Sequence, residues 1–439
     1  MRMWVRNLRT LLQGSFLANV ASVGGGAAAG QAILLLASLL LTRIYTPEEF
    51  GVLAVFASVI GILMSVVAGR FEIAIPIPGS DSAAAAITVL GFCLVTGVTF
   101  LTAGGVIVLG DSFVRWTNTD ALRPYLWMVP VGLLGIGTYR VLNYWVIRRR
   151  AYTIVARTKI TQNASRAASQ IGLGLLGAGS VGLLIGDVIG RMGGTTSLAL
   201  YSWKNDQSLF RHVSVRRMKA MARRFRKFPL LSGPSALFNK AALEAPALFF
   251  ASLFAPSVAG WFALAQRMVG VPVWLISESI QQVFLGDAAE QIRTSPSEVK
   301  RLYLRLSGAL FVCSLIPAAV LGMAGEWVFS TVFGTDWTVS GEYAQWMMIA
   351  FVPQIVVSPL SMTLNLLEKQ EVQLGWDAGR FLLILGTFAI AFSVDISPSK
   401  TVLLVASALG ASYIVLWILG FWFLRRRVQH ERSIRSSMV

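Results

Sequence analysis

Ionisable residues set within long apolar stretches are the part of this chain able to hold charge where charge is costly. Arg140, Arg166, Asp187, Arg191, Lys240, Glu244, Arg267, Glu278, Asp377 and Arg380 all fall in such stretches. A charge at the centre of a bilayer costs on the order of 3 kcal/mol even on the milder insertion scales, so each invites a functional reading. Asp187 and Arg191 are four residues apart, as are Lys240 and Glu244. That spacing sets each pair on one helix face, where opposite charges meet. Interhelical ion pairing is the structural alternative for these residues. Arg140, Arg166 and Arg267 have no carboxylate at helical spacing within one turn. Their charge must be met by another helix, by water or by a ligand. Arg140 lies two turns before Arg148 and is able to snorkel to the surface. Arg166 and Arg267 lie deeper.

Several cations facing one space make a hydrated, electropositive cavity suited to a phosphate or an acidic sugar. Arg140, Arg166, Arg191, Lys240 and Arg267 are therefore the candidate substrate-binding residues. Asp187, Glu244 and Glu278 are candidates for coupling or gating. Arg267 and Glu278 are eleven residues apart, about three helical turns, and share a face. Glu278 is then a candidate proton or cation site. Catalytic groups are not expected. Both histidines, His212 and His430, lie in basic segments, and Cys93 and Cys313 lie in apolar runs. No metal-ligand cluster, nucleophilic triad or cofactor motif stands out, so neither a cofactor nor an enzyme is expected.

The elements that position these residues follow from composition. The chain has 439 residues, 55% of them hydrophobic and 13% charged, with mean hydropathy +0.66. A soluble protein carries about 25% charged residues. Apolar segments of bilayer length recur from end to end, which predicts an all-α polytopic membrane protein of about 12 spans. The expected spans are 16–42, 51–76, 84–108, 122–147, 157–178, 181–201, 229–254, 259–285, 304–325, 344–366, 374–394 and 401–424. Pro130, Pro272, Pro317, Pro353 and Pro359 fall inside them and predict kinks or breaks. Asn143, Asn163, Gln31, Asn239 and Asn365 read first as interhelical hydrogen-bond groups. Trp145, Trp261, Trp274, Trp346, Trp376 and Trp417 read as an interfacial belt rather than as sugar-stacking platforms.

Lys and Arg fall mostly on one side of this layout, including Arg2, Arg6, Arg9, Arg148 to Arg150, residues 204–227, Arg293, Lys300, Arg301, Arg305, Arg425 to Arg427, Arg432 and Arg435. The positive-inside rule makes that side cytoplasmic, with both termini inside. It also accounts for the net charge of +17 without nucleic acid. The domains expected are an N-lobe at 1–205, a basic linker at 206–228, a C-lobe at 229–424 and a basic tail at 425–439. Within the linker, Val215, Met218, Ala222 and Phe225 recur at helical spacing among arginines and lysines. This reads either as an amphipathic helix on anionic headgroups or as a plain basic linker.

One short pattern occurs twice. Residues 43–51 read Arg-Ile-Tyr-Thr-Pro-Glu-Glu-Phe-Gly, and residues 253–260 read Leu-Phe-Ala-Pro-Ser-Val-Ala-Gly. Both run aliphatic, aromatic, any residue, Pro, three residues, Gly, between apolar runs. Each reads as a tight connection between spans, and together they suggest a repeated half. Thr46 and Glu49 have the spacing of a capping box around Pro47. An acidic catalytic loop is the rival reading, and the second copy lacks its acids.

Several segments in order resemble a known family. They are residues 43–51; Gly69-Arg70-Phe71-Glu72-Ile73-Ala74-Ile75; Asn143-Tyr144-Trp145 leading into Arg148-Arg149-Arg150; Phe228-Pro229-Leu230; and Ala263-Leu264-Ala265-Gln266-Arg267. The chain resembles the Wzx-type oligosaccharide flippases of the multidrug/oligosaccharidyl-lipid/polysaccharide exporter superfamily. That resemblance implies two pseudo-symmetric six-helix bundles around a central cavity. It implies movement of undecaprenyl-diphosphate-linked oligosaccharide to the periplasmic leaflet by alternating access, for surface polysaccharide biosynthesis at the bacterial inner membrane. It implies work beside a polymerase and a chain-length regulator. Arg70 and Glu72 match a recurrent pair of the family, with gating and lobe packing both open as roles. Two alternatives remain. A drug/cation antiporter of the same superfamily favours acidic and aromatic cavities. A membrane polymerase carries a large outer loop, whereas the longest expected here, 326–343, is short.

Overall fold

The computed structural model describes residues 15–437. Arg2, Arg6 and Arg9 lie outside the described residues, as do the side chains of Arg293, His430, Arg432 and Arg435. Among the described residues all regular structure is helical. The principal helices are α1 (Ser15–Ile44), α2 (Pro47–Met64), α3 (Asp81–Thr117), α4 (Met128–Arg148), α5 (Tyr152–Leu175), α6 (Ser180–Met192) and α7 (Thr195–Arg211). They continue with α8 (Val215–Arg224), α9 (Gly233–Leu253), α10 (Pro256–Thr294), α11 (Pro296–Phe333), α12 (Thr338–Val357), α13 (Gln370–Ser393) and α14 (Pro398–Ser437). Eight of the described helices are long and apolar enough to cross a membrane: α1, α2, α3, α10, α11, α12 with its flanking turns, α13 and α14. The helices expected at 122–147, 157–178, 181–201 and 229–254 form but fall short of that mark. Their sequences show why. Helix α5 carries Arg157, Lys159 and Arg166, α9 carries Lys240 and Glu244, and α6 has only 13 residues.

The chain divides into two compact units. Unit 1 comprises residues up to Tyr45 and 55–237, and unit 2 comprises residues 46–54 and 238–439. In unit 1, α5 packs between α1 and α6, and α3, α6 and α7 pack on α4. In unit 2, α12 is central and packs on α10, α11 and α14, while α13 packs on α14.

Several expected spans are reshaped. The second ends at Met64, short of 76. The chain then turns through Gly69 and Arg70, with φ of 58° and 62°, into a 3-10 turn at Phe71–Ala74. A left-handed residue cannot continue an α-helix. The sixth expected span breaks at Gly193 and Gly194 into α6 and α7. The tenth breaks after Val357, where Pro359 sits in a 3-10 turn at Ser358–Leu360. The expected outer loop 326–343 is nearly all helix, with only residues 334–337 between α11 and α12.

The amphipathic helix exists as α8, capped by the Ser214 hydroxyl, which accepts from the Arg217 amide at 3.3 Å. Part of its apolar face is covered by protein, while Val215 at its start stays exposed. Met221, Ala222 and the buried Phe225 pack into the unit 1 core with Phe71, Trp145 and Ile87, leaving its arginines exposed. The tryptophan belt needs a similar correction. Trp145 is fully buried and donates to Asp206 at 3.0 Å; Trp376 donates to the Ser412 carbonyl and Trp417 to the Ser307 hydroxyl. An indole N–H in an apolar interior needs such an acceptor.

The repeated connection forms in both places. Glu49 accepts from the Thr46 amide at 2.8 Å and Thr46 Oγ1 accepts from the Glu49 amide at 3.3 Å, completing the capping box. Glu49 therefore caps α2. The two copies also pack against each other within unit 2. A Cβ on Gly51 would lie 1.8 Å from the Pro256 carbonyl oxygen, and one on Gly260 would lie 1.9 Å from that of Pro47. Each glycine meets the proline of the other copy, as a local two-fold requires. Only a residue without a side chain fits there.

Candidate functional site

Unit 1 holds an excess of half-buried cations. It is built by close approach of α5 and α6. Gly182, Gly186 and Gly190 line one face of α6 at four-residue spacing, and a Cβ on Gly186 or Gly190 would run into Gln170 or Arg166 of α5. Small residues at this spacing let membrane helices touch. The contact seats Arg166 against Asp187, which is fully buried and also pairs with Arg191. Two guanidinium groups thus share one carboxylate, and Arg166 Nε is buried without a hydrogen-bond partner.

Arg140 on α4 does not snorkel toward Arg148. It turns to the buried Glu72, with Nε 2.9 Å from Oε1, and reaches the Met64 carbonyl at 3.4 Å. Glu72 Oε2 stays buried without a hydrogen-bond partner. The 3-10 turn that follows the left-handed Arg70 is what brings Glu72 there. Arg70 itself is close enough to Arg140 for the two to repel, and its Nε lies 3.4 Å from the Ser232 hydroxyl. Arg70 is also close enough to Glu72 to be attracted by it, although the Glu72 ion pair is made with Arg140.

Lys159 joins this group, and the sequence reading passed over it. It sits near the start of α5, two turns before Arg166, which disguised it as a flanking charge. Its ammonium lies 5.1 Å over the Tyr139 ring and is near enough to Arg140 to repel it. No carboxylate among the described residues forms an ion pair with it. The unit 1 interior therefore holds five cations, Arg70, Arg140, Lys159, Arg166 and Arg191, against the two carboxylates Glu72 and Asp187. Asn143 Oδ1 is also buried there without a partner.

At one end of α4 the arginine run is spoken for. Arg148 reaches Asp81 at 2.8 Å and the Pro78 carbonyl at 2.7 Å. Arg149 bridges Asp81 at 2.8 Å and Asp206 at 2.6 Å. Burial works against the Arg149 charge, but the hydrogen bonds it donates to Asp206 and Asp81, with their charges, outweigh that and raise its pKa above the usual guanidinium value. This balanced cluster ties α3, α4 and α7 together.

Unit 2 is balanced. Lys240 and Glu244 pair at 2.8 Å on α9. Asp377 and Arg380, both buried, stand 3.8 Å apart on α13, with Asn239 donating to Asp377 at 3.1 Å. Arg267 and Glu278 are both on α10 and both make further interactions. A cavity of about 400 Å³ opens inside this unit, lined by residues of α9, α10, α12, the turn after it, and α14. Lys240, Glu244 and Glu278 line it and Arg267 does not.

A family model described as polysaccharide biosynthesis protein matches residues 40–342. The chain belongs to the polysaccharide biosynthesis protein family. Its fold is that of superfamily transporters already solved. The lipid II flippase MurJ in an inward closed conformation superposes with a TM-score of 0.71 at 12% identity, covering 94% of this chain and 87% of that one. An inward-facing multidrug resistance MATE family transporter of the MOP superfamily gives 0.69 at 16% identity, covering 92% and 96%. A MOP superfamily transporter from Pyrococcus furiosus gives 0.58 at 14% identity, covering 94% and 95%. Among curated proteins no sequence match was found. This member of the polysaccharide biosynthesis family is a multi-span membrane protein.

Proposed function

We propose that this protein is a flippase that moves undecaprenyl-diphosphate-linked oligosaccharide from the cytoplasmic to the periplasmic leaflet by alternating access, serving surface polysaccharide biosynthesis. The observation that carries the reading is the surplus of cations in unit 1. Buried like charges repel and each pays desolvation, so an anionic partner that enters gains on both counts. A diphosphate is such a partner. Lys159, near Arg140, is its proposed contact, with Arg166 and Arg191 as further candidates, while Glu72 and Asp187 hold the arginines in place between cycles. Within unit 2, Arg267 and Lys240 are the proposed substrate contacts and Glu244 and Glu278 the proposed coupling groups. The name of the solved MurJ structure, a lipid II flippase, agrees with this reading. The lysine and arginine pattern supports a bacterial inner membrane location with both termini cytoplasmic, and a polymerase and chain-length regulator as neighbours fit the family.

A drug/cation antiporter would want the opposite charge balance in unit 1. The test is the lipid-linked glycan profile of a strain lacking the protein, with the leaflet assayed. Complete units held on the cytoplasmic face are expected. Complete units reaching the periplasmic face unpolymerised would sink the flippase reading in favour of a polymerase.

A further inference from the structure

The cavity inside unit 2 has a chemistry unlike that of unit 1. Its volume, about 400 Å³, is at the lower end of the range for small-molecule sites. Its wall is largely apolar, with Phe262, Val273 and Leu409, and carries an aromatic face in Trp274. The sequence assigns Trp274 to an interfacial belt; in the folded chain it lines this cavity and is 41% exposed.

Set into that wall are groups that hydrogen-bond without carrying charge. Ser277, Gln266, Gln281 and Gln354 all line it. The Ser277 hydroxyl decides the matter. It is 8% exposed, and its oxygen has no hydrogen-bond partner. A buried hydroxyl left unsatisfied costs free energy, so a protein that keeps one has a use for it. Gln266 spends its Nε2 on the Leu243 carbonyl at 2.9 Å, which fixes the side chain and leaves its amide oxygen as an acceptor. Lys240 is answered by Glu244, and the other charged residue of the lining, Glu278, is acidic, so the lining offers no surplus cation. Such a lining disfavours phosphate and uronate.

An apolar and aromatic wall with convergent amide and hydroxyl groups suits a ring with one apolar face and hydroxyl edges. We infer that the unit 2 cavity is a subsite for an uncharged sugar residue of the translocated glycan, with Trp274 against the ring face and Ser277, Gln266 and Gln354 on its hydroxyls. This rests on the flippase reading and concerns the unit 2 cavity alone.

The test uses the full chain in nanodiscs, with saturation-transfer NMR on a short panel of neutral sugars led by glucose and N-acetylglucosamine. Glucuronate, farnesyl diphosphate and tetraphenylphosphonium serve as controls. Transfer to a neutral sugar and not to glucuronate is expected. Ser277→Ala removes an unsatisfied hydroxyl, so thermal stability should hold or rise. Sugar affinity should fall about fivefold or more, the share of one hydrogen bond. Gln354→Leu should act alike, and neither should change farnesyl diphosphate binding. Lys159→Gln should do the reverse. Binding of farnesyl diphosphate without any sugar of the panel would overturn the subsite and leave the flippase reading standing. Sugar binding undiminished in both variants, or tetraphenylphosphonium bound in place of sugar, would also overturn it. A folded protein that binds neither sugar nor farnesyl diphosphate would overturn both readings.

Discussion

At the scale of single residues, the charges separate into those that hold the fold and those that the fold must carry. Asp187 answers two arginines at once, so Asp187→Asn should destabilise by roughly 3–5 kcal/mol, the cost of stranding buried partners. Thermal unfolding in detergent measures it. Pairing that change with Arg166→Met should recover part of the loss, because residues in one network do not act additively. Lys159→Gln should behave in the opposite sense. It removes a cation that has no carboxylate partner among the described residues, so melting temperature should be unchanged or higher while leaflet transfer of the lipid-linked glycan falls. A drop in melting temperature with transport intact would show that Lys159 serves packing. The sequence made the Asp187–Arg191 and Lys240–Glu244 pairs legible, because both are local at four residues. It did not reveal that Glu72 faces Arg140 or that Asp187 also serves Arg166. Those partners come from other helices and depend on a left-handed turn and a glycine face.

At the scale of elements, the crossing of α2 and α10 is the place where the chain tolerates least. Gly51→Ala or Gly260→Ala puts a methyl group within 2 Å of a backbone carbonyl oxygen, 1.8 and 1.9 Å respectively, and backbone cannot swing aside. Either should cost on the order of 1–3 kcal/mol by forced displacement and reduce yield of folded protein. Gly97→Ala and Gly104→Ala, in the middle of α3 with open space around them, should instead gain about 0.5–1 kcal/mol of helix preference. Size-exclusion profiles and melting temperatures of the four variants compare them directly. The two turns could be read from the sequence because capping chemistry is local. That the repeats would meet, glycine on the other copy's proline, depends on tertiary packing. The amphipathic stretch shows the same limit. Periodicity announces α8 and its apolar face, but the pattern is identical whether lipid or the core around Phe71 and Trp145 covers that face.

At the scale of the whole molecule, charge is distributed unevenly. Unit 1 has a cationic interior and unit 2 a balanced one, although composition records only the total of +17. Binding of farnesyl diphosphate should therefore weaken steeply with salt. The arginines at the ends of the helices, tied up as Arg148 and Arg149 are with Asp81 and Asp206, should add little to that slope. Titrating binding from low to physiological ionic strength checks this, with Arg150→Gln as an exposed-charge control. The all-helical class was plain from composition, since apolar runs of bilayer length have no other reading. The eight apolar spans stood out for the same reason. The polar helices between them were harder to bound, because the residues that make them interesting also erase the hydropathy signal.

Those same polar helices bear on how the chain is made. Helix α5, with Arg157, Lys159 and Arg166, is a poor substrate for the insertion machinery when it emerges from the ribosome alone. Its countercharge, Asp187, arrives later in α6, which is itself only 13 residues long. Biogenesis must then hold α5 at the channel until α6 emerges and the pair can leave for lipid together. Nascent chains that expose α5 but not α6 outside the ribosome should keep α5 cross-linkable to the insertion channel, and those that expose both should not, while α1 to α3 stay anchored in each.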